Sequence, residues 1–186
     1  MEAVGRDLFE KIAVDNLSRA IDFLKFAEAK NGAVVTLSSA WAFACISLQA
    51  SNLELTSWLK IALQISIPFA LLATLVSLFS FDPRLAIKSK SNSKNIPNLL
   101  FFGDISRVGY KEFKELIRDY YMPDHSRSYT DKYIDDLLNQ VHENSIIAIR
   151  KFRFFQISVT FLSVSILIVF IFPILGLTVR VLDLID

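Results

Sequence analysis

The sequence predicts an all-α membrane protein: three transmembrane helices with long cytoplasmic helical extensions and a small helical cytoplasmic insert. Three observations carry that prediction. No Asp, Glu, Lys or Arg interrupts the stretches between Lys30 and Glu54, Lys60 and Asp82, and Arg153 and Arg180. These run for about 23, 21 and 26 residues, and each can cross roughly 30 Å of hydrocarbon as a helix. Hydrophobic residues make up 53% of the chain and mean hydropathy is +0.42, yet 21% of residues are charged, so a wet portion must accompany the spans. Finally, every Lys and Arg except Lys60 and Arg180 lies in the N-terminal arm or in the stretch from Asp82 to Arg153. The positive-inside rule assigns both regions to the cytoplasm.

The resulting organisation has a cytoplasmic amphipathic arm over residues 1–31, a two-span hairpin over 32–81, a cytoplasmic helical sensor region over 82–152, a third span over 153–180 and a short external tail over 181–186. Both wet segments are small for an independent core, so they are expected to fold on each other or on a second subunit. The acidic residues Glu2 and Asp7 ahead of the first apolar run do not read as a secretory signal, and the first span itself is expected to direct insertion.

From about Asp7 to Gln49 there is no proline, so arm and first span are predicted to form one helix of roughly 60 Å at 1.5 Å per residue. Two apolar stripes mark the arm: Val14, Leu17, Ile21 and Leu24, and Leu8, Ile12, Phe23 and Phe26. They fit either two packing partners or one broad amphipathic face. In the first span Ser38, Ser39, Ala40, Ala42 and Ala44 allow close helix approach, and residues 51–56 form a short external turn into the second span. Pro68 and Pro173 each remove a backbone donor and are candidates for helix bends.

After Pro83, the stretch from Lys88 to Asn95 is polar and low in complexity and reads as a mobile loop. Helical periodicity follows over Tyr110 to Tyr121 through Phe113, Leu116, Ile117 and Tyr120, and Met122, Pro123 and Asp124 stop it. A second periodic run starts at about Thr130, a predicted N-cap, and continues through Ile134, Leu137, Leu138, Val141, Ile146 and Ile149 into the third span. Continuity of this kind would make a mechanical link between wet and spanning parts.

Chemistry-bearing motifs are sparse. His125 and His142 are isolated, Cys45 has no partner, and no phosphate loop or nucleophile motif is present, so the chain is not expected to be an enzyme or to hold a metal or cofactor. The most distinctive string is Asn98 to Ser106. Phe101 and Phe102 can stack a flat base, Gly103 permits close backbone approach, and Asn98, Asp104 and Ser106 can hydrogen-bond polar edges or a ribose. The same residues equally fit a core plug, a turn and a helix cap. Arg150 and Arg153 sit at the predicted membrane boundary, where they suit lipid phosphates or an anionic ligand. Glu28, Lys30 and Asn31 place a donor and acceptor pair on one turn at the base of the first span. Within the spans, Gln49, Gln64 and Gln156 are candidates for helix glue, for positions near the membrane interfaces or for a conduit lining, and no intramembrane charge marks an ion path.

Three strings in order resemble the transmembrane effectors of bacterial Pycsar anti-phage systems: Phe26 to Asn31, Asn98 to Ser106, and Asn144 to Arg153. The resemblance covers nearly the full length. It implies a protein of the bacterial inner membrane with its N-terminus in the cytoplasm, acting beside a nucleotide cyclase. It also implies a cyclic mononucleotide ligand, cUMP or cCMP, held by candidates among Glu28, Lys30, Asn31, Asn98, Phe101, Phe102, Asp104, Ser106, Arg150 and Arg153. Binding would drive a homo-oligomer to assemble or rearrange in the lipid bilayer, impairing the membrane and arresting growth; nucleic acid is not an expected partner. A constitutive scaffold or accessory subunit of a membrane complex, needing no small ligand, is the alternative the residues leave open, with a small channel opened by another stimulus as a third.

Overall fold

The structure is a computed structural model, and it describes residues 2–82, 97–121 and 132–182. The polar loop around Lys88 to Asn95, the stop at Met122 to Asp124, the N-cap at Thr130, His125 and the last four residues lie outside them. Five helices follow in order: α1 over Glu2–Ala50, α2 over Ser57–Phe79, α3 over Phe102–Ile105, α4 over Tyr110–Tyr121 and α5 over Lys132–Leu182. There is no strand among the described residues. Helices α1 and α5 contain 49 and 51 residues, about 75 Å of helix each, far more than the roughly 20 residues a bilayer requires. The chain divides into two compact units, Met1–Glu28 with Pro83–Phe152, and Ala29–Asp82 with Arg153–Asp186.

The first unit is a small helical headpiece. Its core joins Phe9 and Ala13 of α1, Leu99 and Ile105 of the turn around α3, Phe113 and Ile117 of α4, and Ile134, Leu138 and Val141 of α5. The spacings explain the choice: Phe113 and Ile117 are four apart, and Ile134, Leu138 and Val141 advance by four and three, so each set shares one helix face. On α1 the buried positions are Phe9, Ala13, Asn16, Ala20 and Ala27. This seam differs from both stripes expected of the arm. Leu8, Val14 and Phe26 are exposed, while Leu17, Ile21, Leu24, Ile12 and Phe23 are half-buried. Apart from Phe9 and Asn16, small residues take the inner positions, where they let a neighbouring helix approach closely.

The second unit packs parts of α1, α2 and α5. It carries three segments long and apolar enough to cross a membrane. Its packing is inverted relative to a water-soluble protein. Small or polar residues turn inward: Val34, Ser38, Ala42 and Cys45 on α1, Ala62, Ser66, Ala70, Ala73 and Ser77 on α2, and Ser158 and Ser165 on α5. Large apolar residues turn outward, among them Leu37, Phe43, Ile65, Leu71, Leu75, Ile157, Leu167 and Phe170. Such an exterior is stable only where the surrounding solvent is itself apolar, and small inner residues are what helix association in lipid selects. Ser39, Ala40 and Ala44 are exposed, so of the five small residues expected at the helix contact only Ser38 and Ala42 are there.

Buried hydroxyls knit the three helices. Ser38 Oγ lies 2.8 Å from Thr74 Oγ1 and donates to the Val34 carbonyl at 2.6 Å. Ser66 and Ser165 hydroxyls meet at 2.7 Å, Ser165 Oγ donates to the Ser66 carbonyl at 2.9 Å, and Trp41 Nε1 donates to Ser165 Oγ at 3.0 Å. Gln64 and Gln156 are exposed, so neither acts as glue between these helices, and Gln49 is half-buried. Gly176 is buried against Trp58, and an added Cβ would overlap the indole. α2 and α5 remain helical through Pro68 and Pro173.

Candidate functional site

The Asn98 to Ser106 string folds as a tight turn leading into the single-turn helix α3. Asn98 Oδ1 accepts from the Leu100 amide at 3.0 Å, and the Asn98 amide donates to Asp104 Oδ2 at 3.1 Å. These bonds close the turn from both ends, the side-chain carbonyl and carboxylate each taking a backbone donor of the segment ahead of α3. Ser106 Oγ donates to the Gly103 carbonyl at 2.9 Å, and Arg107 stands 3.6 Å from Asp104. Asn98, Asp104 and Ser106 are thus brought together, with these polar atoms serving the turn. Gly103 has no positive φ and lies inside α3, so it is not a turn-maker. A Cβ there would stand 2.5 Å from the Phe101 ring, so that partly exposed side chain would have to shift to admit one.

The two phenylalanines differ in kind. Phe102 is buried, with its ring centroid 4.5 Å from Phe23, 4.8 Å from Phe101 and 5.3 Å from Phe152, the last nearly parallel. Phe152 in turn lies 6.1 Å from Phe26. Offset and tilted aromatic groups of this kind bind one another as well as burying area. Phe102 is a hub of protein rings, while Phe101 is 42% exposed.

Glu28 does not pair within its own helix turn. Residues two apart on a helix point to different sides, and Glu28 instead meets Lys151 of α5 at 3.0 Å, with the lysine side chain 8% exposed and the carboxylate 46%. Arg150 is buried beside it in sequence. Lys30, Asn31 and Arg153 belong to the second unit: the Lys30 ammonium lies 5.0 Å from the Phe155 ring centroid, Asn31 is buried and Arg153 is exposed.

A shallow, tightly packed crevice in the first unit is lined by Asn16, Arg19, Ala20 and Phe23 of α1, Leu100, Phe102 and Ile105 of the turn region, and Ser145 of α5. Of these only Phe102 was legible as a site residue. Asn16 and Arg19 carry the polar chemistry of the crevice, and the signal for Asn16 was its place at position 16 in the seam of 9, 13, 16, 20 and 27.

One further polar cluster holds the headpiece together. Asp135 of α5 accepts from Lys114 and, at 2.9 Å, from Arg118 of α4, while the Tyr110 hydroxyl donates to the Asp135 carbonyl at 3.0 Å. Burial, reinforced by the Asp135 carboxylate, pushes the Tyr110 phenol above its ordinary value. His142 is buried between the rings of Tyr110 and Phe113, its Nε2 3.0 Å from the Val108 carbonyl, a packing role rather than a ligand position. No group of three or more metal-ligating side chains occurs among the described residues.

A three-helix unit with a small, hydroxyl-rich interior and a large apolar exterior, in a chain that also builds a charged helical headpiece, defines an all-α membrane protein with a non-spanning helical portion. Residues 12–178 match the family described as the Pycsar effector protein domain, PycTM. The chain is also 37% identical over 141 residues to the Pycsar effector protein RsPycTM of a Rhizobium species, covering 76% of this chain and 81% of that one. The chain therefore belongs to the Pycsar transmembrane effector family. No solved structure matches it.

Proposed function

We propose that this protein is the membrane effector of a bacterial anti-phage system. Its headpiece binds a cyclic pyrimidine mononucleotide, cUMP or cCMP, made by a partner cyclase, and the protein then assembles as a homo-oligomer or rearranges so that the inner membrane loses integrity and growth stops. In this reading the N-terminus and headpiece lie in the cytoplasm, where the basic residues belong. The family match over residues 12–178 carries the proposal. Supporting it, α1 and α5 contribute residues to both units without a break in helix, so a change in either helix is not absorbed by an intervening loop.

The energetics set a requirement. Moving a two-state protein from about 1:99 to 99:1 needs a ligand that favours one state by roughly 10⁴-fold. Completion of the ligand's surroundings in one arrangement alone, such as an oligomer, is a way to reach that ratio. The test is leakage of dye-loaded liposomes containing the purified protein. cUMP or cCMP at micromolar concentration is expected to release the dye, with cAMP and cGMP inactive. Absence of both binding and leakage with all four nucleotides would refute the proposal.

A further inference from the structure

We infer that the ion pair between Glu28 and Lys151, backed by the ring pair of Phe26 and Phe152, is an autoinhibitory clamp. It holds α1 and α5 together at the base of the headpiece and keeps the protein in its non-leaking state until the α3 turn moves. The inference rests on the functional reading above and adds its resting-state control.

The pair is unlike a surface salt bridge. Its ends meet at 3.0 Å with the lysine side chain only 8% exposed, and Arg150, the preceding residue, is buried as well. An ammonium leaves water at a cost that a nearby carboxylate offsets, so removing Glu28 tells on Lys151 more than removing the partner of an exposed lysine. Its place in the chain is the second observation. Glu28 is the last residue of α1 in the headpiece and Lys151 the last but one of α5, and both helices then continue unbroken into the membrane unit. The clustered apolar core reaches only to Leu17 on α1 and Val141 on α5, about 17 and 15 Å of helix short of the pair. A fastening that far from the core does little to build it. What it fixes is the spacing of α1 and α5 where they leave the headpiece.

One ring connects the clamp to the turn. The centroid of Phe152, next to Lys151, lies 6.1 Å from that of Phe26 on α1 and 5.3 Å from that of Phe102 on α3, the latter ring nearly parallel. Displacing Phe102 therefore takes a neighbour from Phe152 and loosens α5 beside the ion pair. A trigger has only to favour the displaced turn, and the clamp sets how much it must supply. Glu28 remains 46% exposed, so water and salt reach the pair and weaken it relative to a fully buried one. That suits a contact which has to break.

The test is dye release from liposomes holding the full chain and no nucleotide. Glu28→Lys puts like charges together and is expected to leak at least tenfold faster than the parent, a population shift equal to about 1.4 kcal/mol. Glu28→Gln removes only the charge and should leak about threefold faster. Combining Glu28→Lys with Lys151→Glu restores an ion pair and should return leakage to within about twofold of the parent. Asp15→Lys makes the same charge change at an exposed position of α1 and should also stay within about twofold. Hydrogen exchange of the α4 amides checks that the headpiece is intact; where Glu28→Lys loosens it, Glu28→Gln carries the test. Parent-level leakage in both Glu28 variants, or leakage that the charge swap does not reverse, would overturn the clamp, and a parent that still leaks on nucleotide leaves the functional reading standing. A parent that responds to none of cUMP, cCMP, cAMP and cGMP, while Glu28→Lys leaks and the swap seals it, would keep the clamp and overturn the nucleotide trigger.

Discussion

Replacing Phe102 by Ala should act first on the stability of the headpiece. The ring is 8% exposed and lies within 5.3 Å of three other phenylalanine rings, counted between centroids. Truncating such a side chain costs about 3–5 kcal/mol. A unit of about 98 residues has roughly 5–15 kcal/mol in total, so the loss is a fifth of its stability at least and more than half in the marginal case. Hydrogen exchange of the full chain in micelles reads this directly. Amides of α4 and of α5 around Leu138, which exchange through global opening of the headpiece, should speed up by roughly 100-fold or more, while those of α2 serve as the internal reference. Phe101→Ala is the control. With its ring 42% exposed and one aromatic partner, it should cost about 1 kcal/mol, well short of Phe102→Ala. Exchange in Phe102→Ala within threefold of the parent would refute the view of this ring as a structural hub.

Three other outcomes are expected. Because the folded-state value of Tyr110 is raised, the neutral phenol is favoured in the folded headpiece; its contribution is complete below about pH 10 and is lost as pH rises through the raised value, and thermal melts should show Tyr110→Phe with a shallower alkaline loss than the parent. Gly176→Ala must displace the Trp58 indole, so Trp58 emission in a Trp41→Phe background should shift relative to the same background with glycine. A double-mutant cycle of Ser66→Ala and Ser165→Ala, read by unfolding in mixed micelles, should give a coupling of about 0.6 kcal/mol and no more than about 2, in line with other intramembrane hydrogen bonds.

The helices were legible because their signals are one-dimensional. Charge-free runs mark the spans, the lack of proline from Asp7 to Gln49 marks α1 as continuous, and the alternation of Phe113, Leu116 and Ile117 with charges marks α4 over Tyr110 to Tyr121 as observed. Which face each helix buries was not legible in the same way. Hydropathy singled out Leu8, Val14 and Phe26, but close helix approach selects for size, and Ala13, Ala20 and Ala27 took the inner positions. In the membrane unit the large glutamines outranked the serines as polar candidates, yet the bonds across the helix contacts are made by the short hydroxyls of Ser38, Ser66, Thr74 and Ser165, with Trp41 Nε1 joining Ser165. The turn at Asn98 to Ser106 was recognisable as a special string, but sequence could not separate ligand-facing groups from those closing the turn. Nor could it show that Glu28 reaches Lys151, more than a hundred positions away, instead of its neighbour Lys30.

The hydroxyls between the spanning helices have a mechanical consequence. Ser38 bonds the Val34 carbonyl of its own helix as well as Thr74, and Thr74 likewise has the Ala70 carbonyl at 3.1 Å. When these two helices slide or swivel past each other, Ser38 and Thr74 can each fall back on their own backbone and take up a new neighbour later, so neither hydroxyl is stranded in oil along the way. A junction of that sort behaves like a lubricated bearing: it holds a resting register with little friction against leaving it.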